Sequence, residues 1–525
     1  MARDGFDSSA LAAERFRETV RVISVRIDCS FSRFFRKDGH SPSSASASRA
    51  FLRLPRGPQP GDFVFGAVSA SFFAVSQTTQ NSPGSPLSVT DVVMLTVGVV
   101  VGASVFETPA LVAGNAGSAG AVLGAWLLGG GVSLIGALCY AELASTYPHA
   151  GGAYHYLRRA FGDSLAFLFA WARLAVVQTG SIALLAFVFG DYASELWSLG
   201  TYSSPLYAAT AATVLTALHA VGIRLGKGVQ RALTAATVAG VLVLAAAGLF
   251  LGSGTPSGGS SPAVGGSAPG SSFGMAMVFV LLTYGGWNEA AYVSAELRNV
   301  GRNMVRALLL SIGLITGLYV LVNVAYLRGL GVAGMSGSDA VAAALMRATV
   351  GPVGASLLSL LVAAAALSSA SATIFTGART SYALGDDFSL FAFLGRWRER
   401  SGTPANALWV QGAVVVLLVG LGAFTRDGFS SMVDYTAPVF WFFFFLTGVA
   451  LLVLRRRNPD RRRPFEVPLY PLTPLAFCAA SLYMLWSSLA YTGVGALAGV
   501  AVLLGGVPLL LVQKRRQPQA TPDSH

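Results

Sequence analysis

Long apolar runs, separated by short polar segments, fill the chain from about residue 90 to residue 512. Most runs are about 18 to 25 residues long, the length that an α-helix needs to cross a bilayer, and the third and eighth are longer. Apolar and polar residues do not alternate within the runs, which excludes membrane β-strands. The pattern predicts twelve membrane-spanning helices, here called spans one to twelve: 90–113, 119–144, 164–192, 206–222, 231–251, 273–297, 304–327, 352–384, 405–424, 431–454, 471–491 and 494–512.

The first 87 residues do not carry this pattern. They contain patches rich in serine, arginine and proline, such as SPSSASASR and NSPGSPLS, which cannot bury a hydrophobic core. We therefore predict a disordered cytoplasmic N-terminal tail over 1–87, a transmembrane domain over 88–513 and a cytoplasmic C-terminal tail over 514–525.

The composition agrees with an all-α membrane protein and indicates its orientation. Hydrophobic residues make up 54% of the chain, charged residues only 11%, and the mean hydropathy is +0.61. Of the 36 lysines and arginines, 32 lie in the tails or in loops on one side of the predicted helices. Basic loops stay in the cytoplasm, so both termini are predicted to be cytoplasmic, in a plasma (inner) membrane. The net charge of +12 is then a topology signal, and no nucleic-acid partner is predicted.

No pattern of catalytic or metal-binding residues is present. The three cysteines and five histidines are scattered, and there is no CxxC pair, HExxH motif or nucleophile elbow. This excludes the common membrane-enzyme sites and predicts no metal or resident cofactor. The segment before span four, GDYASELWSLGTYSSPLY, has no cysteine, so a disulfide-linked partner subunit is not expected.

Two of the predicted spans are interrupted by glycine and polar residues. Span one contains VGVVVGASVFETP (97–109), and span six contains LLTYGGWNEAAYVSAEL (281–297). Each glycine weakens a helix by about 1 kcal/mol relative to alanine. Close packing of small residues is one interpretation of such glycines. However, backbone groups freed within a membrane are tolerated only where they face a cavity or a ligand, which favours a binding site.

The spacing of the two breaks favours a transporter. They lie five spans apart, as expected for an inverted repeat of five plus five helices in which spans one and six are equivalent. The N-terminus of a half-helix presents N–H groups to a carboxylate, and the C-terminus presents carbonyls to an ammonium or a metal cation. A small zwitterion therefore fits between the breaks.

Five segments in this order resemble the amino acid–polyamine–organocation superfamily, and more closely the bacterial amino acid permeases related to the L-type amino acid transporters. GVVVGASVF is similar to the family's G-x-I-I-G-S-G-I-F, and YGGWNEAAYVSAELRNVGRNMVRAL to its sixth span and following loop. ALCYAELASTYPHAGGAYHYLRRAFG, TPANAL and LRRRNPDRRRPFEVPLYP resemble the family's segments after span two, before span nine and after span ten.

The resemblance implies the leucine-transporter fold, with two helices after the inverted repeat, and transport of a small amino acid substrate by alternating access. Neutral amino acids are the expected substrates. A non-transporting amino acid sensor, or a transporter of polyamines or other small amines, is the alternative. Carried over by position, the carboxylate meets N–H groups at Ala103 and Ser104, and the ammonium meets carbonyls of Val100, Leu282 and Gly285. Gly102, Gly286 and Trp287 complete the predicted substrate site.

Three departures from the family pattern bear on gating and coupling. Leu282 stands where relatives often carry an aromatic gate, Thr237 stands where many carry a lysine, and Ser368–Ser371 replaces Gly-Ser-x-Asn. A hard cation needs oxygen ligands. Sodium coupling through Gly98, Val101, Thr237, Ser368 and Ser369 is therefore one hypothesis, and proton coupling and exchange are the others.

Charged residues inside predicted spans are further candidates, because such groups are costly in a membrane. Glu289 follows the break in span six, and Arg173 lies in span three. We expect the two to pair or to form a gate; the alternatives are that Glu289 titrates or binds a cationic group of the substrate. Glu142 lies at the cytoplasmic end of span two, near Arg158, and is expected to belong to a network that closes the site toward the cytoplasm.

Overall fold

A computed structural model describes residues 88–516 except 103, 150, 223–226, 253–268, 339, 426 and 492. The predicted N-terminal tail, 1–87, lies outside the described residues, as do the last nine residues of the chain. The described residues are helical, and the only β-pairing among them is a single antiparallel bridge between Arg398 and Thr403. The all-α fold class is therefore confirmed.

Sixteen α-helices are numbered here in chain order, within the described residues. They are α1 (Val89–Val100), α2 (Thr108–Ala116), α3 (Ala119–Thr146), α4 (Ala153–Phe161), α5 (Asp163–Ala172), α6 (Gln178–Leu196), α7 (Ser203–Val221), α8 (Lys227–Ala246), α9 (Pro269–Thr283), α10 (Val300–Ser336), α11 (Val341–Thr349), α12 (Pro352–Asp387), α13 (Ala405–Thr425), α14 (Gly428–Arg457), α15 (Leu472–Tyr491) and α16 (Gly493–Arg516).

Ten segments in the described chain are long and apolar enough to cross a membrane. They correspond to ten of the twelve predicted spans. The other two, spans one and six, are the ones with predicted breaks: span one divides into α1 and α2, and span six into α9 and a tight helical segment, Trp287–Glu296. The total of twelve crossings stays a prediction.

Local sequence explains where span one starts and breaks. Ser88 and Asp91 form a reciprocal cap at the start of α1, which satisfies free N–H groups of the first turn. The helix ends at Val100, and a short tight turn, Ser104–Phe106, precedes α2. Pro109 lies in the first turn of α2, where its missing N–H costs nothing.

Span three is also irregular. The sequence predicts one long helix over 164–192, and the structure has α5 and α6 joined by a wide turn, Arg173–Val177, in which the Gln178 N–H donates to the Arg173 carbonyl. Wide turns of this type occur often at functional sites. This one places the buried Arg173 beside span six.

Packing of the unbroken helices surrounds the breaks. Helix α3 packs on α10, α6 packs on α12, and α14 packs on α15 and α16. The side chains of Trp126, Tyr284 and Tyr319 form an aromatic cluster, with ring centroids 5.0–6.1 Å apart, where α3, α9 and α10 meet. The breaks are therefore held by a rigid frame of long helices.

Candidate substrate site

The two breaks face each other. Gly286 adopts a left-handed backbone with φ of 111°, and a Cβ atom added to it would lie 2.8 Å from Cγ1 of Val99. Such a contact is closer than real Cβ atoms allow, so only glycine lets span six approach α1 in this way. The backbone of both breaks therefore meets at one place.

Tyr319 of α10 joins the carbonyls on the two sides. Its hydroxyl lies 2.8 Å from the carbonyl oxygen of Val100 and 3.2 Å from that of Thr283. Both carbonyls lie at the end of a half-helix, where no intrahelical donor remains for them. Tyr319, which the sequence analysis missed, therefore supplies a donor that the broken helices lack.

Threonines connect one half of each broken span, α2 and α9. The hydroxyls of Thr108, at the start of α2, and Thr283, at the end of α9, lie 2.8 Å apart and are buried. The hydroxyl of Tyr192 on α6 donates to the carbonyl of Phe106, beside the first turn of α2. Helices α2 and α9 are thus tied to each other, and the start of α2 is tied to span three.

The predicted ammonium ligands are partly engaged. The Val100 carbonyl accepts the hydrogen bond from Tyr319, and the Leu282 carbonyl accepts one from the N–H of Gly285 at 2.9 Å. A carbonyl oxygen has two lone pairs, so each can accept a second donor. Within this set, Gly285 lies between Leu282 and the left-handed Gly286, at the turn itself.

On the carboxylate side, Ser104 begins the short turn Ser104–Phe106, and Ala103 lies outside the described residues. Gly102 faces span eight, because a Cβ atom added to it would lie 2.8 Å from the Ser369 hydroxyl. The serine of span eight is thus a direct neighbour of the break in span one.

The side chains around Gly285 revise the predicted gate. Leu282 is half-buried, and Phe440 of α14 lies 3.6 Å from a Cβ atom built on Gly285. Phe440 stacks on Phe444 with ring centroids 4.2 Å apart. An aromatic side chain therefore does cover the break, but it comes from span ten.

Trp287 lies in the packed frame. It is only 2% exposed and contacts Tyr140 and Phe444, with centroid distances of 5.1 and 5.5 Å. Its ring also fills the space beside Gly136 on α3. In this conformation it anchors the start of the Trp287–Glu296 segment, so its predicted contact with substrate stays a prediction.

Arg173 and Glu289 are brought together, with 3.2 Å between Nη2 and Oε1. The Arg173 side chain is 6% exposed and that of Glu289 is 22% exposed. Arg173 also donates to the Tyr292 hydroxyl and to Oε1 of Gln178. These four residues, Arg173, Gln178, Glu289 and Tyr292, are here called the inner polar network.

Gln178 extends the inner polar network to span eight. Its amide nitrogen donates to the carbonyl of Thr373 at 3.0 Å and to the hydroxyl of Thr376 at 3.1 Å. Spans three, six and eight are therefore linked through one buried guanidinium. A buried charge of this kind is tolerated only with such partners.

The residues of the predicted coupling site are distributed over three helices. A Cβ atom added to Gly98 would lie 2.6 Å from the hydroxyl of Thr234, so Thr234 of α8 is the residue that faces α1. Thr237, one turn further, donates to the Leu233 carbonyl of its own helix at 2.8 Å. Val101 lies at the end of α1, where its N–H donates to the Val97 carbonyl.

The serines of span eight have different neighbours. Ser368 and Ser369 are buried, and Ser369 lies against Gly102 as described above. Ser371 is hydrogen-bonded to the Nε2 atom of His219 on α7, at 2.8 Å. Ser371 therefore connects spans four and eight, away from the break.

Glu142 pairs with Arg455 of α14, whereas Arg158, which the sequence analysis placed near it, has other partners. Its carboxylate is 1% exposed and receives Nε of Arg455 at 2.6 Å and the Val467 N–H at 2.6 Å. Arg158 instead pairs with Asp163 and Asp387. The partner lies 313 residues away in the chain, which spacing alone does not reveal.

Comparisons with known proteins identify the family. A model of the amino acid permease family matches residues 87–506. A mouse (Mus musculus) protein, b(0,+)-type amino acid transporter 1, is 31% identical over 398 residues, which cover 75% of this chain and 80% of the relative. The human (Homo sapiens) large neutral amino acids transporter small subunit 2 is 29% identical over 429 residues, covering 79% of this chain and 77% of the relative.

The chain belongs to the amino acid permease family. The predicted resemblance is therefore confirmed, and the class of protein is an integral multi-pass membrane permease rather than an enzyme. Family membership and the named relatives support amino acid transport as its function.

Proposed function

We propose that the chain transports neutral amino acids by alternating access and binds the substrate's α-carboxylate and α-ammonium at the two breaks. The observation that carries the proposal is the approach of the two interrupted helices at Gly286 and Val99. Free N–H groups at the start of one half-helix and carbonyls at the end of another suit the two ends of a zwitterion. The carboxylate binds at Gly102, Ala103 and Ser104.

The ammonium binds at the carbonyls of Val100, Leu282 and Gly285. A protonated amine is a stronger donor than the Tyr319 hydroxyl. The ammonium therefore donates to the remaining lone pair of the Val100 carbonyl and competes with Tyr319 for this oxygen. Tyr319 in turn keeps this carbonyl oriented when no substrate is bound.

The charges near the breaks support a neutral side chain. Glu289 is the nearest carboxylate after the span-six break, and Arg173 already compensates it at 3.2 Å. The side chains that cover the Gly285 turn, Leu282 and Phe440, are apolar. A substrate side chain with a net charge would lose its hydration here without an unpaired counter-charge to replace it.

The inner polar network acts as a gate in this proposal. It joins span three to the Trp287–Glu296 segment, and long tight helical segments of this kind are uncommon and often mark hinges. Opening of the site toward the cytoplasm breaks the contacts of Arg173 with Glu289 and Tyr292. Binding of substrate changes the relative free energies of the two arrangements.

The oxygen atoms around Gly98 and Gly102 suit sodium as the coupling ion. Proton coupling and exchange remain the alternatives. The carbonyls of Gly98 and Val101 and the hydroxyls of Ser368 and Ser369 supply hard ligands. Because the Thr234 hydroxyl lies beside Gly98, it is a candidate sodium ligand together with Thr237. No resident cofactor or disulfide-linked partner is required.

The orientation follows from the basic loops: both termini lie in the cytoplasm, and the protein resides in the plasma (inner) membrane. Under this orientation α1 and the Trp287–Glu296 segment are the cytoplasmic halves of the broken spans. Accessibility of single cysteines to an impermeant reagent in intact cells tests this, and labelling at position 398 from outside would contradict it.

The test of the function is uptake by proteoliposomes. Purified protein should accumulate labelled neutral amino acids, and Gly102→Leu and Gly285→Leu should abolish uptake while the protein remains folded and inserted. Normal uptake by both variants would overturn the site. Binding of amino acids without any uptake would indicate a sensor, and preferred uptake of polyamines would indicate an amine transporter.

A further inference from the structure

Six arginines lie within nine residues, RRRNPDRRR (455–463): three end α14, and three lie in the loop between α14 and α15. This loop folds back onto the ends of α3 and α4. Arg461 donates to the Thr146 carbonyl at the end of α3, and Arg457 donates to the Ala160 carbonyl in the last turn of α4, at 2.9 Å. Arginine at helix C-termini satisfies the last carbonyls, which accounts for the position of the loop.

Capping does not account for all the positive charge here. The guanidinium of Arg159 on α4 lies 4.9 Å from the centroid of the Tyr147 ring, and that of Arg461 lies 4.5 Å from the same centroid. One aromatic ring thus holds two arginines near each other. We name Arg159, Arg457 and Arg461, with Tyr147, the Tyr147 basic site.

Three of the nearby carboxylates already form ion pairs with other arginines. Glu142 is taken by Arg455 and Arg463, and Asp163 and Asp387 are taken by Arg158. Among the described residues, no carboxylate lies within ion-pair distance of Arg159, Arg457 or Arg461. All three arginines are exposed, so the site has a surplus of positive charge that is open to an external anion.

Burial and the positive charge around the site both lower the pKa of a neighbouring histidine, His155. Burial, with the charges of His149, Arg159, Arg158 and Arg461, lowers the pKa of His155 from 6.5 to about 4. These are the charged or titratable groups that face His155 from α4, from the end of α3 and from the loop. All of them are basic.

Apolar residues follow the arginines in the same loop. Leu469 is 76% exposed and Leu472 is 66% exposed, and Tyr470 covers the Arg455 guanidinium at 4.0 Å. A basic cluster followed by exposed leucines is the pattern of a segment that rests on a membrane surface. A soluble anion would make no use of these leucines, whereas a lipid offers both a phosphate and an apolar phase.

We propose that the Tyr147 basic site binds the phosphate of an anionic phospholipid from the adjacent leaflet. Clusters of arginine directly beside membrane helices attract such lipids, with about 1 kcal/mol for each basic residue near the surface. The bound phosphate relieves the repulsion between Arg159 and Arg461, and so holds the loop and α4 against the end of α3. The inference is independent of the proposed transport cycle.

Helix α4 also contacts the inner polar network. Gly152, at the start of α4, has φ of 47°, and a Cβ atom added to it would lie 2.9 Å from three ring atoms of Tyr292. Tyr292 is a partner of Arg173. A lipid that holds α4 in place therefore also holds the surroundings of Tyr292 in place.

The test is lipid-dependent thermal stability of the full chain. Protein purified in neutral detergent receives increasing phosphatidylglycerol or phosphatidylcholine, and the melting temperature is recorded. Phosphatidylglycerol should raise it in the unaltered protein, and Arg159→Gln/Arg461→Gln should need at least about tenfold more lipid for the same shift. The control is Arg398→Gln/Arg400→Gln, which removes two exposed arginines from the loop after α12 and should respond as the unaltered protein does.

Two outcomes would contradict the proposal. An unchanged response of Arg159→Gln/Arg461→Gln would remove the Tyr147 basic site from lipid binding. An equal shift with inorganic phosphate or glycerol phosphate would show that a soluble anion is the occupant. If the double variant does not fold, Arg159→Gln alone carries the test, because Arg159 caps no helix; it should weaken the lipid response about fivefold.

Discussion

The hydroxyl of Tyr319 lies 2.8 Å from the carbonyl oxygen of Val100, the last residue of α1. The same hydroxyl lies 3.2 Å from the Thr283 carbonyl, the last of α9. One hydroxyl of span seven therefore lies between the carbonyl ends of both broken spans, with the Val100 carbonyl as its nearer acceptor. If those carbonyls bind the substrate ammonium, their orientation should depend on this tyrosine.

Tyr319→Phe should lower the kcat/KM for amino acid uptake about tenfold, because a hydrogen bond to an otherwise unsatisfied carbonyl contributes about 1–2 kcal/mol. The matched control is Tyr326→Phe, two turns further along α10. Tyr326 is also buried, and its hydroxyl forms no hydrogen bond among the described residues. Equal kinetics of the two variants would argue against a role for Tyr319 at the break.

Arg173→Gln should destabilise the protein by about 2–3 kcal/mol, because it leaves the partly buried Glu289 without its charged partner. If the inner polar network is the gate, uptake should also fall, because the gate can no longer close. Arg173→Gln/Glu289→Gln should recover much of the stability, because no unpaired charge remains. Melting temperature and uptake are measured together; a double variant less stable than both single variants would refute the pairing.

Gly286→Ala should abolish uptake, because the added Cβ atom enters Val99 and the residue must keep a φ of 111°. Gly313→Ala is the control. No atom lies within 4 Å of a Cβ built on Gly313 in α10, and alanine favours a helix. If Gly286→Ala takes up substrate as fast as Gly313→Ala does, the close approach of Gly286 to Val99 is not required for transport.

Sodium coupling makes a separate prediction. Uptake should rise with external sodium, Ser369→Ala should weaken this dependence before it weakens substrate affinity, and Thr237→Lys should remove it by placing an amine near the site. Uptake is compared in sodium and choline media at constant pH and membrane potential. Equal rates would reject sodium and leave proton coupling or exchange.

The low pKa of His155 predicts a pH dependence of stability in lipid-free detergent. Its pKa is about 4 in the folded protein and 6.5 in the unfolded chain, so the unfolded state binds a proton more readily. The contribution of His155 is complete above pH 6.5 and decreases as the pH falls toward 4. His155→Gln should reduce the change in melting temperature between pH 6.5 and pH 4. An unchanged pH dependence would assign the effect to other groups.

The sequence was informative where a residue has few physical interpretations. Glycines and polar residues inside apolar runs predicted both breaks, and the structure has interruptions at each. A charged residue inside a membrane span has few available partners, so the sequence alone matched Arg173 with Glu289, and the structure places them 3.2 Å apart. The family, confirmed by the comparisons, was recognisable from short segments in a fixed order.

The remaining contacts depend on how helices are rotated and which ends meet. The sequence pointed to Thr237, whereas Thr234, one turn away, faces Gly98; the difference is the rotation of α8 about its axis. Tyr319 and Phe440 lie in ordinary apolar helices, and nothing in their local sequence indicates that they meet the breaks. The partner of Glu142, Arg455, could not be predicted because it lies in the last turn of α14, which meets α3 only in the folded protein.

Competition for uptake by analogues that lack one end of the zwitterion tests the central claim most directly. Proteoliposomes take up labelled leucine in the presence of excess unlabelled leucine, isoamylamine or 4-methylpentanoate, which share a side chain of similar size. The two breaks require both charged ends, so leucine alone should compete, and the amine and the acid should each be at least about a hundredfold weaker. Competition by isoamylamine as strong as that by leucine would contradict carboxylate binding at span one, and with it the account of why that helix is broken.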